Sequence, residues 1–394
     1  MRASTKAAME RDPEGSRRVS LLELFFDLVY VVALALISRH LVENLTWAGV
    51  FQTAVLLAAL WWVWAITAFL TDLYEPQQVS IQLLMLAAML GSLLLAATVP
   101  HAFGSGGVVF ACAYVGIHFS RGLFLVPTLR GQEVQKRAVR IFFWFSVSAV
   151  PWIVGGLMTD EVVRAAWWAG ALAIDYVAFS LGYPTPGLGP LPTTQYKVTA
   201  AHLAERYQQF FMIALGDAIL VSGFTYSEAH AGPASSGAFL VAFVSTVLLW
   251  RIYTHRAGEV LPLAIESVVE TRRFFRVAPY THLVMVTGVV VKAASFELLI
   301  ADPLDNAGWA MVGLLLGGPA IFLIGRSRFE YEVFGRVSPS RIVALVVLVV
   351  IAPVTVMLPV LAIAGCACLV LLGMALADTL RSWGKHPEPP KPGL

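Results

Sequence analysis

Charge is scarce in this chain. Asp, Glu, Lys and Arg together supply 13% of its 394 residues, and the formal net charge is +2. A charge so thin and so balanced offers no basic patch, which excludes the nucleic-acid readers. Three cysteines give no disulfide framework, which excludes the small secreted scaffolds. No G-x-x-x-x-G-K-[ST] loop is present to cradle phosphates, an argument against ATP-driven transport by this chain alone. The paired Asp-rich motifs that bind a diphosphate through magnesium are also missing. What fills the chain is hydrocarbon: 58% of residues are hydrophobic and the mean hydropathy is +0.75. Those figures belong to a polytopic membrane protein, with the lipid bilayer as its first partner, and not to two or three soluble domains.

A crossing of the bilayer takes roughly 20 mainly apolar residues. The sequence holds about twelve such runs, from 20–40 and 47–70 through 201–223 to 340–356 and 358–379. The expected fold is therefore an all-α bundle of about twelve transmembrane helices. The last two runs share a kink region from Pro353 to Pro359, and one long bent element there is the competing reading. Positive charge decides for the even count. Arg2, Lys6, Arg11, Arg17 and Arg18 precede the first run, and Arg130, Lys136, Arg137 and Arg140 follow the fourth. Arg256, Arg272, Arg273 and Arg276 follow the eighth; Arg326, Arg328 and Arg336 follow the tenth; Arg381, Lys385 and Lys391 close the chain. With twelve helices all of these lie on one side, which the positive-inside rule makes cytoplasmic, with both termini. Arg39 and Arg164 are the exceptions. The charged N-terminus and the lack of a small-residue cleavage site make the first run a retained span and not a removed signal peptide.

Leu181 to Thr199 carries four prolines and three glycines and reads as a non-helical connector. The expected organisation is a cytoplasmic segment over 1–19, a first six-helix half over 20–182, a connector over 183–200, a second half over 201–379 and a Pro-rich tail over 380–394. The halves align loosely. Glu23 to Asp27 answers Glu205 to Gln209, Trp61 to Trp64 answers Leu248 to Trp250, and Leu83 to Met85 answers Leu283 to Met285. That order suggests a six-plus-six parallel repeat of the kind several transporters use.

An ionisable side chain inside a span costs roughly 2.5 to 3.5 kcal/mol on insertion scales, so each one implies a partner, a water-filled cavity or a function. Glu23 and Asp27, four apart, share one face of the first helix. Two acids so close require a cation between them or a retained proton; an interhelical ion pair that orients the helix is the plainer reading. The seventh helix is the most polar, with His202, Glu205 and Arg206 near its start and Asp217 about 18 Å further along at 1.5 Å per residue. The Gly216-Asp217 pair suggests a close approach by a neighbouring backbone. Arg251, His255, His282 and Lys292 are the candidate counter-charges, with Lys292 expected to pair with Asp217 or Asp175. His118 and Arg121 share a face of the fourth helix, while Asp72 and Glu75 read as solvated loop acids. The tryptophans at 61, 62, 64, 167, 168 and 250 read as interfacial or packing residues, with Trp61 to Trp64 as a candidate pocket wall. No His and carboxylate set has di-metal spacing, and Cys366 and Cys368 point to different faces, so neither a metal nor a cofactor is expected.

Three segments resemble the bacterial low-temperature-requirement protein A family, LtrA: Leu22-Glu-Leu-Phe-Phe-Asp-Leu-Val-Tyr30, Leu83 to Met89 running to Pro100-His-Ala-Phe103, and His202 to Asp217. They occur in order across nearly the whole chain. Two departures stand out, since members usually carry Gly where Gln208 stands and Glu where Asp217 stands. The resemblance implies a multi-pass protein of the bacterial cytoplasmic membrane and makes Glu23, Asp27, Glu205, Arg206 and Asp217 family-typical polar residues. It implies no mechanism.

Three functions stay open on the sequence. The first is a permease or secondary transporter of an unknown small molecule or ion, with Glu23, Asp27, His202, Glu205, Arg206, Asp217, Arg251 and Lys292 along its pathway and a proton as coupling ion. The second is a membrane-embedded enzyme acting on a lipid or isoprenoid by metal-independent acid/base chemistry at Asp27 or Asp217. The third is a sensory or scaffold protein, for which short loops leave little partner surface. A homo-oligomer is compatible with each.

Overall fold

The computed structural model describes residues 19–192, 200–229, 232–255 and 271–383. Most of the N-terminal segment, residues 193–199 of the connector, Arg256, the side chains of Arg272, Arg273 and Arg276, and the tail beyond 383 lie outside the described residues. Within them the chain is helical throughout, with no strand. The helices are α1 (Leu21–Glu43), α2 (Trp47–Leu73), α3 (Val79–Thr98), α4 (Gly107–Thr128), α5 (Glu133–Leu157) and α6 (Glu161–Ser180). They continue as α7 (Ala200–Glu228), α8 (Pro233–Thr254), α9 (Thr271–Ala301), α10 (Trp309–Phe334), α11 (Pro339–Thr355) and α12 (Val360–Ser382). Eleven are long and apolar enough to cross a membrane, and α11, at 17 residues, is shorter. The protein is thus a polytopic all-helical membrane protein.

The region from Pro353 to Pro359 breaks the chain into two helices. After α11 ends, α12 starts afresh because a neighbouring loop satisfies its first backbone donors: Val360 N donates to Asp305 O (3.0 Å) and Leu361 N to Pro303 O (2.9 Å). Such outside acceptors are what an α-helix start requires in a medium without water.

The chain forms two compact units, one of residues 1–40 and 46–206, the other of 41–45 and 207–394. In the first, α2 is the central element, with 89% of its most apolar window buried. It packs against α3, α4 and α6, while α4, α5 and α6 pack in sequence. Polarity runs from inside to outside. On α1 the exposed side chains are Leu21, Leu24, Phe25, Leu28 and Val32, and the buried ones include Glu23, Asp27 and Tyr30. That inversion suits a helix whose outer face meets lipid. Trp61, Trp62, Trp64 and Trp168 are interior packing, whereas Trp167 and Trp250 stay partly exposed.

Arg164, an exception to the charge pattern, has a structural explanation. Its guanidinium donates to Ala102 O (3.0 Å), Gly104 O (2.7 Å), Met158 O (2.5 Å) and Gly155 O (3.3 Å), closing the end of α5 against the turn before α4. It caps carbonyls and is not a topology signal. Arg140 does the same for the described part of the connector, donating to Gly189 O (3.0 Å) and Leu188 O (2.7 Å).

In the second unit α9 and α10 share the most extensive contact, and α12 packs on α8, α10 and α11. Glycine makes the α9/α10 contact possible. A Cβ on Gly288 would fall 2.7 Å from Gly318 O and against Phe322 N, and one on Gly325 would lie 2.8 Å from Met285 N. These two backbones touch as small-residue interfaces in membranes do. Gly216, by contrast, has nothing within 4 Å of an added Cβ. The close approach expected beside Asp217 does not occur there; the bare backbones that meet are those of α9 and α10. Gly288→Ala should therefore lower the thermal midpoint of detergent-solubilised protein, by about 1 to 3 kcal/mol of overpacking. Gly313→Ala, on an open face of α10, should leave it unchanged or raise it; equal effects would refute the contact.

Candidate functional site

The most concentrated set of buried charges lies at one end of the first unit, where the start of α1, the end of α2 and the start of α7 meet. It begins with a helix start. Ser20 precedes α1, its Oγ accepts from Glu23 N (3.3 Å), and Glu23 Oε2 accepts in return from Ser20 N (2.8 Å) and Ser20 Oγ (2.9 Å). This is a capping box, of the S-x-x-E pattern. It commits one carboxylate oxygen of Glu23 to the helix and turns the other inward.

Around that inward oxygen stands an outer layer of three groups. His202 Nε2 lies 3.1 Å from Glu23 Oε1, a close contact without hydrogen-bond alignment, and His202 Nδ1 lies 3.1 Å from Asp72 Oδ1 in hydrogen-bond geometry. The imidazole therefore bridges carboxylates from two other helices. Only a doubly protonated ring has a donor for each side. Because the acids engage opposite ring nitrogens, the three groups do not converge on a point, and no set of three or more His, Cys, Asp or Glu among the described residues is placed to hold a metal ion.

One helical turn deeper lies a second layer. Arg206 meets Asp27 through both ends of its fork, Nη1 to Oδ2 at 2.6 Å and Nη2 to Oδ1 at 2.8 Å. Trp64 Nε1 donates to the same Oδ1 (2.9 Å), and its indole lies under the guanidinium, 5.6 Å from ring centre to Arg206 Cζ. Arg206 also joins the layers, with Nη1 donating to Glu23 O (3.3 Å) and Nε 3.9 Å from Glu23 Oε1. The cation required between Glu23 and Asp27 is thus a guanidinium of this chain. Glu23, Asp27, Asp72, His202 and Arg206 are all at most 3% exposed.

Among the described residues, three carboxylates share one guanidinium and one imidazole here. Asp27 is fully engaged, so it is poorly placed for the acid or base role that an enzyme would need. The adaptable part is the outer layer. Asp72, read as a loop acid, is in the last turn of α2 with 3% exposure; α2 runs further than its apolar stretch, and that final turn carries the acid inward. Trp64 serves as hydrogen-bond donor as well as packing. Glu205 is half-buried and takes part in neither layer.

A second polar group sits deeper in the same unit. Tyr114 OH donates to Asp175 Oδ2 (2.8 Å), and Arg121 Nη2 donates to Thr67 Oγ1 and to Val63 O (3.4 Å). His118 stacks on Phe145 at 3.8 Å. Asp175 thereby has a neutral partner and not the expected lysine.

The remaining candidates belong to the second unit. Asp217 is fully buried on α7. Lys292 is also fully buried, but its ammonium meets Leu315 O at 3.4 Å and the Phe296 ring at 5.0 Å, and no carboxylate pairs with it among the described residues. The expected pairing with Asp217 or Asp175 is replaced by a carbonyl and an aromatic face, which the close approach of α10 brings within reach. Arg251, half-buried, contacts His255 Nδ1 (2.8 Å) and donates to Thr379 Oγ1 (3.3 Å). His282 contacts Ala278 O (2.9 Å) and Tyr253 OH (3.2 Å). The pathway residues named from the sequence therefore divide into Glu23, Asp27, His202 and Arg206, which meet directly in the first unit, Glu205, which takes part in neither layer, and Asp217, Arg251 and Lys292, which belong to the second unit.

Comparison with known proteins agrees with this architecture. Residues 18–376 match the family described as Bacterial low temperature requirement A protein (LtrA). The chain belongs to that family. A protein of Rhizobium meliloti (strain 1021), described as uncharacterized, is 30% identical over 340 residues, covering 84% of this chain and 81% of its own. No solved structure matches.

If the inner layer is a true buried pair, Arg206→Met should destabilise the protein by about 3 to 5 kcal/mol by stranding Asp27. The double variant Asp27→Leu/Arg206→Met should recover most of that loss. Denaturation midpoints in detergent measure both, and additive losses would show that the pair does not act as a unit.

Proposed function

We propose that this protein is a proton-coupled permease of the bacterial cytoplasmic membrane, moving a small polar or ionic solute. The observation that supports the reading is the imidazole of His202 lying between Glu23 and Asp72, each at 3.1 Å, out of contact with water. A purely structural ion pair needs one cation for each anion. Among the described residues the anions of this cluster outnumber its permanent cation three to one, and the charge of the set depends on how many protons it holds.

The three groups come from α1, α2 and α7, so gaining or losing one proton changes which helices are held together. A protonation event that favours one helix arrangement over another is the minimum that coupling requires. The inner Arg206/Asp27 pair, whose charges already cancel, acts as the fixed base beneath it. Asp217, on α7 about 18 Å beyond Glu205, extends the same helix's polar line and is the second proton-accepting group of the proposal. With the positive loops inside, the His202 layer faces the cytoplasmic end.

In proteoliposomes holding a pH-sensitive dye, wild-type protein should carry protons only when a solute from a mixed metabolite panel is supplied. His202→Gln, which keeps a polar side chain of similar reach, should cut that flux by about a hundredfold or more while the protein elutes and melts as wild type. Coupled flux that survives in His202→Gln would sink the relay. Folded wild-type protein that moves neither protons nor any panel solute would sink the permease.

A further inference from the structure

Away from the carboxylate cluster, the second unit contains a cavity with the opposite charge. It is bounded by His255 after α8, Arg326, Glu330 and Phe334 on α10, Ser338 and Arg341 at the start of α11, and Asp378 and Arg381 near the end of α12. The cavity is small, about 30 Å³, and continues into an open mouth. Three guanidinium groups face two carboxylates.

Both carboxylates are already occupied. Glu330 Oε2 lies 2.5 Å from Arg341 Nη1 and accepts from Ser338 N (3.3 Å); Asp378 Oδ1 accepts from Ser340 Oγ (2.5 Å), with Oδ2 3.5 Å from Arg341 Nη2. Arg326 is held on its other side. Its Nε donates to Ile252 O (3.3 Å) and its Nη2 to His255 O (2.9 Å), at 1% exposure. Those bonds fix the plane of the guanidinium and leave Nη1 buried with no hydrogen-bond partner among the described residues. Arg341 Nε, on a side chain 3% exposed, is in the same position. Arg121 Nη1 and Arg140 Nη1 are also buried without a hydrogen-bond partner among the described residues, but this cavity brings two such donors together. Water would hydrate them without cancelling the surplus charge.

We infer that this cavity is a binding site for a phosphate group, supplied either by inorganic phosphate or by the phosphodiester of an anionic lipid headgroup. A rigid planar guanidinium matches phosphate oxygens in paired hydrogen bonds, and two such groups held by carbonyls and carboxylates form a preorganised cradle. Counting His255 as neutral, the described lining residues carry one surplus positive charge, which a single phosphodiester or monobasic phosphate cancels. Arg381, exposed on the last turn of α12, stands at the rim as the residue first met by an incoming anion. The cavity also opens at the end of the bundle where positive loops gather in the sequence, the side on which anionic headgroups attract basic groups.

The full chain in phosphatidylcholine nanodiscs is to be titrated with inorganic phosphate against chloride at equal ionic strength. In a second arm, protein taken from vesicles with and without phosphatidylglycerol is examined by native mass spectrometry for retained lipid. The expected result is one saturable phosphate-bearing ligand per chain in at least one arm, weakened about tenfold by Arg326→Gln and several-fold by Arg381→Gln. Phosphate binding without lipid retention assigns the site to a soluble anion, and phosphatidylglycerol retention that phosphate does not displace assigns it to a headgroup. The inference is overturned if folded wild type holds neither phosphate over chloride nor phosphatidylglycerol over phosphatidylcholine, or if Arg381→Gln binds as wild type does. Arg381→Gln decides alone if Arg326→Gln does not fold.

Discussion

A charge withdrawn from water has to be met by another charge or by fixed dipoles, and this requirement organises the interior of both helical units. The bidentate Arg206/Asp27 pair is where it is met most completely. Two forked groups in register, a tryptophan donor on one oxygen and an indole face beneath the cation replace much of what solvent would give the pair. The layer above depends on it: Glu23 and Asp72 are tolerable as buried acids because a permanent cation lies one turn away and an imidazole lies between them.

The two units resolve the same problem with opposite chemistry. The first gathers carboxylates and shares two nitrogen bases among them. The second gathers guanidiniums, meeting Arg326 with the carbonyls of Ile252 and His255 and Arg341 with Glu330 and Asp378. Lys292 carries the second solution to its limit, with one carbonyl and one phenyl ring around a fully buried ammonium. Main-chain oxygens are good partners in a membrane because helix ends and turns leave them unspent, and Arg164 uses the same resource at the end of α5 and Arg140 in the connector after α6.

Much of this was legible in the sequence, and the parts that were not share a cause. Apolar runs of the right length fixed the helices, and the i, i+4 spacing of Glu23 and Asp27 and of His202 and Arg206 set those residues on common faces. Pairing across helices is a different kind of information. Asp72 read as a loop acid because it follows the last apolar run, yet α2 continues one turn and points it inward. Lys292 invites a carboxylate on charge alone, while the decisive factor is how near Gly318 lets the α10 backbone come. Gly216 looked like such a contact and is not, since a glycine's neighbours come from the partner helix and leave no trace in its own flanking residues.

The capping box at Ser20 and Glu23 ties two kinds of order to one functional group. One oxygen of the carboxylate holds the first turn of α1 closed and the other faces His202. Fraying of that turn and loosening of α1 from α7 are therefore a single molecular event. The end of a helix, ordinarily its least cooperative part, here melts or persists together with the neighbour it touches, so the N-terminus of α1 reports the state of the buried cluster to whatever precedes it in the chain.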